Sequence, residues 1–587
     1  MTRYLFSRWH YFLPLMVLSA TLLPAQSTNV VTWHNNNLRD GLNSTETSLT
    51  QANVSKKTFG KICSTAPGAI DGQIFAEPLV VAGGIKGYSQ VVYVATMNDT
   101  VYFIDGGSTD CAVIQSFSLL QPHEQAVACT DVGDKTCGTF DPMIGIVGTP
   151  VINYGTNTMY LVTWTESTAG KCSITKGPAC FFHRLHALDI STGAEKFNGP
   201  VTIPTVTIGN SKFTSFNHIQ RPGLLFLENM PGNENNAVYV AFSSMDGGGT
   251  VGKSVPNGWV FSFNSVDLAA PPLAWTTTPT GEGGGVWMSG AGLAAGIDFG
   301  PEEDTYIYVS TGDGTFDAED GGSNYGDSFV KLTTSLTVSS YFTPYRQYCD
   351  DIGDGDLGSG GVMLIPNMVG SSRMVFAIAN GKDGNLYVMD RTNPGGYAGP
   401  AGNICPKPAG PNLNLETLPA STQEFYSTGA YWSQNLYSMA NSSPLQRYGI
   451  STTACTPGPV CKLPAASSVT KFRYGSVPVI SSNDDQTGTA IVWAINGNGW
   501  PNGNAKVVPV TAVLYAYDAE HITVPNTIPL LWDSSQCPTR DRAGNATKFA
   551  VPTVANGRVF MGTMDPSDDT NTMGRLDVYG PTSGACK

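Results

Sequence analysis

Short runs of β-branched and aromatic residues recur along the chain. Each is followed by a second run that ends in aspartate or a substitute for it. Val91-Val92-Tyr93-Val94-Ala95-Thr96 precedes Thr100-Val101-Tyr102-Phe103-Ile104-Asp105, and Met159-Tyr160-Leu161-Val162 precedes His183-Arg184-Leu185-His186-Ala187-Leu188-Asp189. Ala237–Phe242 pairs in the same way with Gly258–Phe263, Tyr306–Ser310 with Asp327–Leu332, and Met374–Ala379 with Asn385–Asp390. Fainter copies begin near Tyr431, Ile491 and Arg558. Alternation of aromatic and β-branched residues predicts strands, and the short gaps predict antiparallel hairpins. Beyond the N-terminal stretch, no long segment carries a helical period.

A unit of this kind cannot bury both faces alone, so about eight in succession predict a ring or a solenoid, and a ring leaves no open sheet edge. The expected fold is all-β: a single β-propeller of about eight four-stranded blades, with seven also allowed because the units after Pro400 are irregular. Phe59-Gly60-Lys61-Ile62-Cys63 stands before the first unit, while the last unit, Phe549–Tyr579, lacks an outer strand. The N-terminal strand is therefore expected to complete the C-terminal blade.

Composition sets the compartment and excludes some partners. With 66 Gly, 38 Pro and 13% charged residues in 587, the chain is rich in turns and poor in surface charge. A net charge of −14 gives no basic footprint for nucleic acid. Arg3 and Arg8 precede the apolar stretch Tyr11–Leu23, and small residues follow near Ala25 and Ser27, so residues 1–27 read as a secretory signal. Residues 28–587 then form the propeller, secreted or periplasmic, with no transmembrane span in the mature chain. Twelve cysteines fit an oxidising destination. Cys129 with Cys137, Cys172 with Cys180, and Cys455 with Cys461 read as loop staples, whereas Cys63, Cys111, Cys349, Cys405, Cys537 and Cys586 pair over longer distances. C-x-x-C-H is absent, so no covalently attached haem is expected.

Four segments carry a more specific pattern. Gly283-Gly284-Gly285-Val286-Trp287-Met288-Ser289-Gly290 precedes Tyr308-Val309-Ser310-Thr311-Gly312-Asp313-Gly314. Asp354-Gly355-Asp356-Leu357-Gly358-Ser359-Gly360-Gly361 follows, and then Gly381-Lys382-Asp383-Gly384-Asn385-Leu386-Tyr387-Val388-Met389-Asp390-Arg391-Thr392-Asn393. Earlier, Gly145–Ile152 leads to Thr163-Trp164-Thr165-Glu166. Together with the Ala187-Leu188-Asp189-Ile190-Ser191-Thr192-Gly193 phrase, these resemble the pyrroloquinoline quinone (PQQ)-dependent alcohol dehydrogenases, a quinoprotein β-propeller family. The resemblance implies that Trp287 stacks on a planar quinone and that Asp313 and Glu166 ligate Ca²⁺. It makes Asp356 the catalytic base, and Lys382 the cation that hydrogen-bonds the quinone carbonyls. It further implies a small alcohol or sugar-like substrate and a separate electron acceptor.

Two departures stand against this. Asp313 occupies a position where the family has asparagine, and the family's adjacent Cys-Cys pair does not occur. The rival reading is a propeller that keeps the repeat without the cofactor, as a binding or scaffold module. The acidic run Asp313–Asp327, with Asp317, Glu319 and Asp320, could bind Ca²⁺ without any quinone, but it lacks EF-hand spacing and its commoner reading is a solvated loop.

Overall fold

The computed structural model describes residues 28–587 except 83–86, 133–139, 173–176, 229–235, 245–255, 299–303, 367–374, 403, 406–408, 456–457, 474, 498–509, 571, 585 and 587. The expected secretory signal, and Cys137 with its expected bond to Cys129, lie outside the described residues.

Eight antiparallel sheets of four or more strands follow one another in chain order. Their inner strands are Leu79–Ala82, Val151–Asn153, Leu225–Leu227, Ala294–Ile297, Gly361–Leu364, Ala430–Trp432, Val479–Ser481 and Thr553–Ala555. In the first blade Leu79–Ala82 and Gln90–Ala95 are buried throughout, whereas the outer strand Val113–Ser118 is not. The inner strands are mostly apolar and buried because a neighbouring blade covers each face. Tyr93 and Phe103 of the first blade pack with Leu161 and Leu188 of the second, whose Tyr160 and Leu185 pack in turn with Phe242 and Phe261 of the third.

The blade count is eight, so the irregular stretch after Pro400 holds a full blade. There Ala430–Trp432 and Asn435–Ser438 pair across a two-residue turn in which Ser433 and Gln434 have φ of 44° and 62°. A turn of this hand ordinarily carries Asn-Gly or Asp-Gly, and Ser-Gln gives no such signal. The Ala187–Gly193 phrase docks its blade on the preceding one. Asp189 Oδ1 accepts from the Ser191 and Thr192 N–H groups at 2.9 Å, and a Cβ at Gly193 (φ 71°) would lie 2.3 Å from the ring of Phe117.

The ring closes as the sequence predicts. Phe59–Ser64 pairs antiparallel with Met573–Pro581 and forms the outer strand of the eighth blade. Cys63–Cys111 bonds this strand to the first blade, and Cys537–Cys586 ties the C-terminal tail to the loop after the seventh blade's outer strand. Cys172–Cys180 and Cys455–Cys461 are local staples, and Cys349–Cys405 spans a longer loop.

Asp577, fully buried, holds the closure together. It accepts from Ser64 Oγ at 2.6 Å and Gly544 N at 2.8 Å, and lies 2.9 Å from Lys61 Nζ and 3.0 Å from Arg575 Nε. Burial alone raises a carboxyl, but here Lys61 and Arg575 outweigh it and hold Asp577 below the ordinary value. A depressed folded-state pKa contributes stability above the unfolded value, near pH 4, and loses it as pH falls through the folded value. Asp577→Asn is thus expected to lower the melting temperature by a few degrees at neutral pH, roughly 2–4 °C per kcal/mol or less in a chain this long. The gap from wild type should shrink steadily in acid, and a pH-independent gap in a calorimetric series would contradict this account.

One segment organises the axis. The inner edge of every blade presents unpaired backbone groups, and residues 30–43 meet all eight in turn. Val30 N bonds Val80 O at 2.8 Å, Ile152 N bonds Val31 O at 2.8 Å, and Asn37 Nδ2 bonds Phe226 O at 3.0 Å. Ala295 N, Leu364 N, Tyr431 N and Ile480 N then donate to the carbonyls of Asn37, Leu38, Asp40 and Gly41 at 2.7–2.8 Å. Asn43 Nδ2 completes the circuit on Val554 O at 2.7 Å. His34, Asn35, Arg39 and Gly41 adopt positive φ, which curls the chain around the axis.

Candidate active site

A cavity of about 720 Å³ is built from loops that join successive blades and from turns within them. The loop from the third blade to the fourth brings Gly283, Gly285 and Trp287. Gly283 (φ 71°) lies against the carbonyl of Asp313, which a Cβ would approach to 2.4 Å. Gly284 N therefore bonds Asp313 O at 2.6 Å, and Gly312 N bonds Gly285 O at 2.9 Å, so two glycine-rich loops run backbone to backbone. Gly312 also admits the carboxylate of Asp356, whose Oδ1 would be 2.4 Å from a Cβ there.

Trp287, Asp313, Asp356 and Lys382 all line this cavity. Trp287 is half-buried and meets Phe140 edge-on at 5.9 Å, with Tyr426 and Phe549 supplying further aromatic wall. Behind Phe549 lies the buried guanidinium of Arg221, 5.4 Å from that ring, which donates to Val147 O and Ser289 O.

Asp356 is held from two sides. Asp313 N donates to its Oδ1 at 2.8 Å, and Lys382 Nζ lies 2.6 Å from its Oδ2 while also contacting Asp354. Lys382 N donates to Asp356 O at 3.1 Å. Burial works against the Lys382 ammonium, but Asp356 and Asp354 outweigh it and keep it above the ordinary lysine value. Asp313 is pushed up to about 8, by burial first and then by the Asp356 carboxylate.

The structure adds a carboxylate outside the four segments of the resemblance. Asp313, Asp327 and Asp356 each offer an oxygen within 4.8 Å of the others. Asp327 is fully buried in the turn that precedes the strand Phe329–Thr333, and its carboxyl lies well above the ordinary value because of burial and then the Asp313 charge. Only the two ends of the acidic run turn inward. Asp317 instead accepts from Asn324 N at 2.9 Å, and Glu319 accepts from Tyr341 Oη at 3.0 Å. Glu166 stands apart from this group and does not line the cavity. It lies buried in a strand of the second blade, where Oε1 accepts from Gln125 Nε2 at 2.7 Å and Ala128 N at 3.4 Å. The extra strand Glu124–Ala128 pairs across from Glu166 and supplies these donors.

No family model matches the sequence, and no curated protein matches it. Solved structures do. The chain resembles a quinohemoprotein alcohol dehydrogenase from Comamonas testosteroni at 14% identity and a TM-score of 0.56, over 96% of this chain and 82% of that one. It resembles a europium-containing methanol dehydrogenase at 13% identity and a TM-score of 0.55, over 94% of this chain and 98% of that one. With eight blades closed by an N-terminal strand, the chain has the β-propeller fold of these two dehydrogenases.

Proposed function

We propose that the chain is an exported quinoprotein-like oxidoreductase that uses PQQ and Ca²⁺ to oxidise an alcohol or sugar-like hydroxyl and passes electrons to a separate acceptor. One observation carries this reading: Trp287, Asp313, Asp356 and Lys382 come from separate segments and line one cavity. The residues fit a hard cation. Asp313 Oδ1 is buried without a hydrogen-bond partner, and three carboxylates within 4.8 Å repel one another until a divalent ion neutralises them. The cavity also fits a flat aromatic acid, since it offers the Trp287 ring and the ammonium groups of Lys382 and Lys548.

When bound, the quinone supplies a two-electron acceptor for the hydride of the alcohol carbon. The protein's own part is proton transfer and orientation. Asp356 accepts the hydroxyl proton. The Asp313 N–H fixes its Oδ1, and Lys382 pairs with its Oδ2 and aligns it. Asp313 and Asp327 would hold the cation. The five disulfides among the described residues support an oxidising compartment, extracellular or periplasmic. No helix among the described residues is long and apolar enough to cross a membrane.

The test is to add PQQ and Ca²⁺ to the purified chain and follow quinone absorbance, melting temperature and dye-linked alcohol oxidation. Binding with oxidation is expected. If the cofactor neither binds nor raises the melting temperature, the scaffold reading holds instead. Asp327→Ala is expected to weaken Ca²⁺ affinity about tenfold or more, read as a smaller calcium-dependent rise in melting temperature. An unchanged rise would remove Asp327 from the metal site.

A further inference from the structure

A second cavity of about 450 Å³ adjoins the first and shares two of its lining residues, Asp354 and Lys382. The contact between these two side chains stands where the chambers meet. Nothing in the proton transfer described above uses the second chamber. Its wall mixes hydrogen-bond acceptors, donors and a ring: Asp350, Asp383 and Glu424 with Arg346, Asn412 and Tyr345.

Several of these groups are fixed before any ligand arrives. Tyr345 N donates to Asn412 Oδ1 at 2.6 Å, and Asn412 Nδ2 donates to Thr417 Oγ1 at 3.0 Å. The Tyr345 ring lies so close to Gly410 that a Cβ there would come within 2.4 Å, which sets the ring as a wall. Asp383 accepts from Asn385 Nδ2 at 2.6 Å and from Tyr387 Oη. Cys349–Cys405 ties the short helix carrying Asp350 to the loop that runs on to Ala409 and Asn412. Asp350 is different. Its side chain is 12% exposed, and among the described residues it pairs with the largely exposed Arg346 at 3.9 Å. Both groups are thus available to a ligand in a half-enclosed space.

We propose that this second chamber is the recognition subsite for the polyhydroxylated remainder of a neutral, sugar-like substrate whose reacting hydroxyl lies in the first chamber beside Asp356. The inference rests on the oxidoreductase reading and names its substrate class. Adjacent carboxylate and guanidinium groups such as Asp350 and Arg346 satisfy vicinal hydroxyls, and a simple alcohol that reaches only one of them leaves the other without a partner. Asp354, Asp383 and Glu424 outnumber Arg346 and Lys382, Lys382 is already shared between Asp354 and Asp356, and Asp350, pushed up to about 7 mainly by burial, adds acceptor oxygens. An anionic sugar would meet like charge and be excluded.

The experiment is calorimetric titration of the full chain, in calcium buffer without PQQ, using D-glucose, D-sorbitol, D-glucuronate and 1-butanol. At least one neutral polyol is expected to bind at least tenfold more tightly than glucuronate or butanol. Arg346→Ala and Asp350→Asn should each weaken that polyol at least tenfold, and Ala409→Trp, which fills the chamber, should remove its binding. The calcium-dependent melting shift, measured in parallel, reports whether each variant is folded. If neither polyol outbinds glucuronate and butanol, or if folded variants bind it as wild type does, the proposal is overturned. If polyol binding is lost in the variants while PQQ never supports oxidation, the subsite stands and the oxidoreductase reading falls.

Discussion

Asp356→Asn is expected to abolish dye-linked alcohol oxidation, lowering kcat by about 10²- to 10⁴-fold, the range lost with a general base. The amide keeps the shape of the side chain, and its single oxygen accepts from one of the two donors, the Asp313 N–H or Lys382, which lie 2.8 and 2.6 Å from the two native carboxylate oxygens. What it cannot do is take the hydroxyl proton. Quinone absorbance and the PQQ-dependent rise in melting temperature should therefore persist in the variant while turnover does not. Asp354→Asn serves as the control. Asp354 contacts the same lysine, but its side chain is 77% exposed and it is not one of the three carboxylates that lie within 4.8 Å of one another. Its loss should lower kcat far less. Equal losses in the two variants would point to the lysine, not Asp356, as the group that matters.

Arg39→Met is expected to destabilise the whole ring by about 3–5 kcal/mol, the cost of emptying a buried, fully hydrogen-bonded charge site. Arg39 is buried at the axis. Its Nε donates to Leu293 O at 2.9 Å, Nη1 to Thr32 Oγ1 at 2.7 Å and Trp33 O at 2.8 Å, and Nη2 to Leu224 O at 3.2 Å. Five acceptors, Asn36 O at 3.2 Å from Nη1 being the fifth, lose a guanidinium donor when it is replaced, and two of them, Leu224 O and Leu293 O, precede the inner strands of the third and fourth blades. The central segment then loses its anchor midway around the circuit. The loss should appear as a lower midpoint in thermal and urea unfolding. A midpoint within a degree of wild type would mean that the segment decorates the ring without bracing it.

Legibility in the sequence followed the length scale of each feature. Strand pairs were readable because their signal is local: Val91–Thr96 and Thr100–Asp105 show both the apolar runs and the turn between them. Closure by Phe59–Ser64 was readable because the last unit was one strand short. The sixth blade was faint because its Ser433-Gln434 turn has the right backbone without the usual residues. The central segment was missed altogether. His34-Asn35-Asn36-Asn37 has no apolar period, since its bonds to eight inner strands run through backbone groups and amide side chains rather than through a hydrophobic face.

In the site the same distinction holds. Trp287, Asp313, Asp356 and Lys382 stand in glycine-rich phrases that could be recognised one by one, and the structure brings the four to one cavity. Asp327 carried no such phrase, and Glu166 stood at the right distance along the chain but is enclosed by donors from a strand inserted between the first two blades. The sequence alone determined the repeat, the ring and the residue types available for chemistry, because hydrophobic alternation and turn residues act over a few neighbours. Which carboxylates share one point, and that a second chamber opens behind Lys382, depend on how loops from different blades converge. That convergence is set by packing between segments far apart in the chain, and only the tertiary structure decides it.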